Sequence, residues 1–145
     1  MSLVYTEITL KNANDVTNAR SGLVKDHEIR EVVVQALVDT GAWTLVINEE
    51  IREKLGLHKI ETKTGTLADG TVTEYSMAGP VNVIWKNRNT NCDAIVLPVA
   101  DDILLGAIPM EAMDIIVHPK LEEVVGAHGD EALHKLKCSF RYPQY

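Results

Sequence analysis

Ala36-Leu37-Val38-Asp39-Thr40-Gly41-Ala42 is the stretch on which the reading of this chain turns. Residues 29–38 (IREVVVQALV) form the longest β-favouring run in the sequence, and they end directly on an aspartate. A carboxylate at the end of an apolar strand is costly unless donors satisfy it. Thr40 offers a hydroxyl, and Gly41 offers a closely approachable backbone N–H and lets the chain turn. Taken alone, Asp-Thr-Gly is equally well a turn in which Asp39 bonds its own backbone. The surrounding sequence decides between the two.

Downstream, residues 44–47 (TLVI) resume as strand. Asn48 then caps a helix over 49–55, with Glu49 and Glu50 in its first turn and Lys54 in its last. Ile51 and Leu55 share one face of it, and Gly56 stops it. The Thr-rich runs 58–67 and 71–78 flank Ala68-Asp69-Gly70, and Asp-Gly between two such runs predicts a hairpin. Residues 80–86 and 93–99 form a second strand pair around Asn87-Arg88-Asn89. Residues 102–105 (DILL) make a short strand ending at Gly106, and Pro109 opens a short helix through Met113. Residues 114–118 and 122–125 form a hairpin turning near Pro119. Upstream, 3–10 (LVYTEITL) is a strand, and the polar run 12–28 is a turn or mobile loop. After Gly126 the pattern gives a helical turn over 130–137 and an edge strand over 138–142. One internal echo stands out: Leu37-Val38-Asp39-Thr40-Gly41-Ala42 and Ile103-Leu104-Leu105-Gly106-Ala107 both run apolar residues into Gly-Ala.

The chain has 145 residues, the size of one domain, and 46% of them are apolar, so a core forms without metal or disulfide support. Only 5% are aromatic, which leaves the core to Val, Ile and Leu. A net charge of −7 argues against nucleic acid as a partner. No apolar run approaches the ~20 residues that span a bilayer, and Met1 to Glu7 lack the pattern of a signal peptide. A cytoplasmic protein with no membrane association is the expectation. Cys92 and Cys138 match no metal spacing and are read as free thiols.

In order along the chain, these features resemble the retropepsin-like aspartic proteases, as a bacterial-type single-domain member. Leu37 to Ala42 is similar to the catalytic loop of that family. Thr44 to Leu57 is similar to the strand and helix that follow it, and Leu67-Ala68-Asp69-Gly70-Thr71 stands where the flap hairpin belongs. Ile103-Leu104-Leu105-Gly106 resembles the second-half signature, and residues 110–117 the helix and strand after it. The resemblance implies a mainly β fold, a closed β-barrel with one or two short helices. It makes residues 1–145 a single domain with its core at 30–119 and a C-terminal extension, 126–145, outside the family pattern.

The resemblance further implies that Asp39, Thr40 and Gly41 are catalytic and that Ala42, Ala68, Asp69 and Gly70 bind substrate. No metal or cofactor is implied. With one Asp-Thr-Gly per chain and no acid in Leu104-Leu105-Gly106, two chains must meet as a homodimer. Two carboxylates held together share one proton. One then acts as base on the attacking water, and the protonated one stabilises the oxyanion and supplies the leaving nitrogen. The substrate would be a peptide or protein. Thr40 would bond across the interface, and residues 3–10 or 138–142 would add a shared sheet.

Two other functions fit the same residues: a non-catalytic dimerisation or peptide-binding module on this fold, and a ligand-binding barrel in which Asp-Thr-Gly is only a turn. His118, His128 and His134 fall near Glu122, Glu123 and Asp130, but their spacing follows no metal-ligand pattern and reads as surface. Asp101-Asp102 reads as a solvated turn, and Trp43 as a residue that packs or shapes a pocket.

Overall fold

Asn12 marks the first place where the chain departs from what its composition suggests. The computed structural model describes residues 3–98, 101–118 and 120–129. Strand β1 (Tyr5–Asn12) alternates buried Ile8, Leu10 and Asn12 with partly exposed Thr9 and Lys11. Asn12 then caps helix α1 (Ala13–Arg20), its Oδ1 accepting from the Asp15 N–H at 3.1 Å. This helix lies in the run read from sequence as a loop. Its Asn, Asp and Thr residues have low helix propensity, so the cap and tertiary contacts form it instead. Asn12 Nδ2 also donates to the Leu55 carbonyl at 2.8 Å, and Asp15 holds the Arg30 guanidinium at 2.8 and 2.9 Å.

A single 3-10 turn (Asp26–Glu28) leads into β2 (Glu31–Val38). Then come β3 (Leu45–Asn48), α2 (Glu49–Leu55), β4 (His58–Thr66), β5 (Val72–Trp85), β6 (Arg88–Leu97) and β7 (Ile103–Leu105). Helix α3 (Ala107–Ala112) and the hairpin β8 (Ile115–His118) and β9 (Glu123–Gly126) complete the described chain. The strand order is β1-β2-β7-β3-β6-β5-β4, and β1 also pairs with β5. That extra pairing closes six strands into a mixed barrel and leaves β4 outside as the outer arm of a hairpin. Ile8, Leu10, Leu45, Ile47, Val81, Val83 and Leu105 are almost fully buried in the core.

The fold is mainly β and closed, as expected, with α2 over 49–55 as read and three α-helices among the described residues. Helix α3 starts two residues before Pro109, with Gly106 at its N-cap; proline is tolerated in the first turn because its missing N–H would have no helical partner there. Gly79-Pro80 does not end a strand, because β5 runs through it and absorbs it in a register shift between Ala78 and Val81. The following turn is tighter than the Asn87-Arg88-Asn89 loop read from sequence, since β6 begins at Arg88.

Arg88 is buried and donates to the carbonyls of Met113, Asp114 and Gly129, which ties the β8–β9 hairpin to the barrel. Residues 3–10 offer less free edge than expected: β1 pairs with β2 along nearly its whole length and with β5 from Thr9 onward. The helical turn over 130–137, the strand over 138–142, Cys138 and His134 lie outside the described residues. No helix among the described residues is long and apolar enough to cross a membrane.

Candidate active site

Asp39 follows the last residue of β2, and what fixes it comes from the other half of the echo. Strands β2 and β7 run parallel with Ala36 opposite Ile103, Leu37 opposite Leu104 and Val38 opposite Leu105. The two echoing segments therefore lie side by side. The Asp39 N–H donates to the Leu105 carbonyl at 3.1 Å, and the Gly41 N–H donates to Asp39 Oδ1 at 2.9 Å. The Ala42 N–H closes the turn onto the Asp39 carbonyl at 3.1 Å. The next carbonyls, of Ala42 and Trp43, accept from the Ala107 and Ile108 N–H groups at 2.8 and 3.0 Å, so the loop is stitched to the start of α3.

Gly106 lets this happen. A Cβ there would stand 2.2 Å from the Thr44 carbonyl oxygen and 2.6 Å from that of Ala42. Thr44 itself is buried, and its hydroxyl donates to the Asp93 carbonyl at 2.9 Å.

Above the loop lies a cleft of about 570 Å³. Asp39, Gly41, Ala42 and Trp43 form one side of it, and Gly65, Thr66, Leu67, Ala68 and Tyr75 of the β4–β5 hairpin form the other. Val46, Ile95, Leu97 and Leu104 make its walls apolar, and Asp39 is the one carboxylate among its described lining residues. The hairpin tip is a tight turn in which the Gly70 N–H donates to the Leu67 carbonyl at 2.9 Å, with Gly70 at φ +85°. Asp69 accepts from the Thr71 N–H at 2.8 Å, and hydrogen bonding by Thr71 holds its carboxyl below the usual aspartate range.

The residues singled out from sequence thus separate into three places. Asp39, Gly41, Ala42 and Ala68 share the cleft. Asp69 and Gly70 build the hairpin tip and are not among the lining residues. Thr40 is exposed and lines a second groove with Ala107, Met110, Ile115 and Ile116. Trp43 is 49% exposed and lines the cleft. Tyr75, Leu67 and Leu104 were not read as lining residues from sequence. Tyr75 packs against Gly65 on the paired strand, where a Cβ would come within 2.8 Å of the ring.

The remaining candidates stay apart. His128 Nδ1 pairs with Asp114 at 2.7 Å, and His118 Nδ1 accepts from the Leu121 N–H at 3.2 Å. Among the described residues no group of three or more His, Cys, Asp or Glu is placed to hold a metal. Asp102 accepts a long hydrogen bond from the Tyr5 hydroxyl at 3.4 Å. Burial pushes the Cys92 thiol up to about 11.

A closed six-stranded mixed barrel, with two parallel strand ends meeting under a β-hairpin, is the retropepsin-like acid-protease fold. The family model described as aspartyl protease matches residues 26–107, more than half of the chain, and the chain belongs to that family. The matched segment runs from the 3-10 turn to the first residue of α3, so it contains the Asp39 loop, the β4–β5 hairpin and Gly106. No curated protein matches the chain.

Proposed function

We propose that the chain is one half of a homodimeric aspartic endopeptidase, with Asp39 of each copy supplying one of two catalytic carboxylates. The observation that carries this reading is the cleft: one carboxylate on its floor, apolar walls and a hairpin cover. A lone aspartate is ionised at neutral pH and has no proton to give. Two brought together hold one proton between them, so the pair contains both a base and an acid. The base takes a proton from water as it attacks the peptide carbonyl, and the acid stabilises the developing oxyanion and then protonates the leaving nitrogen.

The Gly41 N–H on Oδ1 holds the carboxylate in one orientation, and the stitched loop keeps it there through the reaction. Thr40 is exposed and lines the neighbouring groove, not the cleft, which suits a contact with the partner chain. The β4–β5 hairpin would close over an extended peptide and exclude water. The test is digestion of a peptide library across pH. Wild type should cleave, Asp39→Asn should not, and specific activity should fall faster than linearly on dilution. Adding excess Asp39→Asn should inhibit the wild type through mixed dimers. A protein that cleaves as a monomer at every dilution, or an active Asp39→Asn, would overturn the reading.

A further inference from the structure

We propose that the outer face of β1, β5 and β6, at the end of the barrel away from Asp39, is a docking groove for an extended acidic peptide segment of a partner protein. The chain carries a net charge of −7, yet Lys11, Arg20 and Lys86 line one groove of about 330 Å³ whose lining includes no carboxylate. Five other cations among the described residues are paired: Arg30 with Asp15, Arg52 with Glu49, Lys54 with Glu50, Lys59 with Glu49 and Lys63 with Glu61. The acids nearest in register do not close the groove. Asp15 is engaged by Arg30, and Glu31 stands opposite Lys11 on β2 without an ion pair within 4.0 Å.

The floor suits a peptide better than a point anion. Lys11, Asn82 and Asn91 form one cross-strand row and Thr9, Ile84 and Asn89 the next. Asn82 is buried, and its Nδ2 donates to Asn89 Oδ1 at 3.1 Å and Asn91 Oδ1 at 2.8 Å, which fixes amide groups along the face. Ile84 and Val16 add apolar contact between the charges.

A separate observation comes from Lys86. It sits at φ +49° in the β5–β6 turn, a conformation in which glycine is unstrained and lysine is not. Its ammonium is held 4.7 Å from the centroid of the Trp85 ring, and the residue lines the groove. A strained residue that presents a placed charge points to a use for that charge. The groove lies roughly 25 Å along β2 from Asp39, counting from Glu31 opposite Lys11, so it is separable from the cleft.

The test uses the full chain carrying Asp39→Asn, which protects the probe from cleavage, and a fluorescein-labelled peptide of alternating glutamate and alanine about ten residues long. Anisotropy should report binding that weakens as salt rises. Adding Lys11→Glu and Arg20→Glu together should weaken it by roughly tenfold or more. Lys86→Gly should also lose affinity while its melting temperature does not fall, a combination that a purely structural lysine would not give. Wild type and the groove variants should cleave library peptides alike if the cleft is a protease site, and the docking result stands whether or not it is. Unchanged binding in the Lys11→Glu/Arg20→Glu chain would overturn the proposal. So would displacement of the peptide by inorganic phosphate at equal charge, or tighter binding of a single-stranded oligonucleotide.

Discussion

Gly106→Ala is the sharpest probe of how the Asp39 loop is held. The backbone at Gly106 has φ −93° and ψ −175°, a region open to any residue, so alanine brings no torsional penalty. The whole cost is steric. The new methyl would stand 2.2 Å from the Thr44 oxygen and 2.6 Å from the Ala42 oxygen, both backbone atoms. Relieving this requires shifts of about 1 Å, and Ala42 is not free to move, because its carbonyl takes the Ala107 N–H at 2.8 Å. Overpacking costs about 1–3 kcal/mol, and weakening that hydrogen bond adds about 1. The expected loss is therefore about 3 kcal/mol, or roughly 10 °C in melting temperature for a chain of this size. Urea unfolding measures it. The control is Gly22→Ala: Gly22 has φ +76° and nothing within 4 Å of a Cβ, so it should cost only about 1 kcal/mol of backbone strain. If Gly106→Ala costs no more than Gly22→Ala, the loop is not packed on Gly106 and the account of how Asp39 is fixed is wrong.

Asp15→Asn should lower stability at pH 7 by about 1 kcal/mol or less, because Arg30 is half exposed and water screens the pair. The side-chain hydrogen bond from Arg30 lowers the Asp15 pKa in the folded chain, so its contribution is present above the ordinary aspartate range and lost as pH falls through the folded value. The two proteins should converge in strong acid when unfolded by urea, and a gap that persists there would point to a cause other than ionisation. With Cys138→Ser in place, Cys92 should react with a thiol reagent at pH 8 at least tenfold more slowly than in denaturant, since its pKa is about 11 and the thiol is half-buried; equal rates would refute its burial. Amides of the hairpin tip at 67–72 should exchange faster than those of 32–38, which lie between β1 and β7. Protection at the tip equal to that of β2 would remove the mobile cover from the proposed mechanism.

The barrel was legible because its strands are long β-branched runs and its punctuation is local. Asn48 and Gly56 bracket α2 as their chemistry dictates, with Asn48 accepting from the Ile51 N–H at 2.9 Å and Gly56 at φ +62°. Helix α1 was hidden because its determinants are not local. Asn12 caps it while also donating to Leu55, and Asp15 anchors it to Arg30, fifteen residues on. The Gly79-Pro80 break was misread for the same reason, since strand continuity there depends on β6, not on β5 alone. Of the candidate site, Asp39, Gly41 and Ala42 were visible as a motif. Tyr75, Leu67 and Leu104 were not, because which face of a strand meets the cleft depends on barrel closure and hairpin register.

The echo between the two halves explains why the proposed chemistry needs a second chain. Aligning Gly41-Ala42 with Gly106-Ala107 puts Leu104 in the place of Asp39. Leu104 lies in β7 between β2 and β3, with Leu37 on one side and Val46 on the other. Its side chain lines the same cleft as Asp39 but brings no acid to it. Asp39 lies one residue past the end of β2, where the Gly41 N–H turns onto Oδ1. The second half instead contributes the Leu105 carbonyl and the space at Gly106 that seat the first half's loop. One segment presents the acid and the other packs it, so each chain supplies a single carboxylate of this kind. A second carboxylate would then have to arrive on a loop of the same kind, which a second copy of the chain provides.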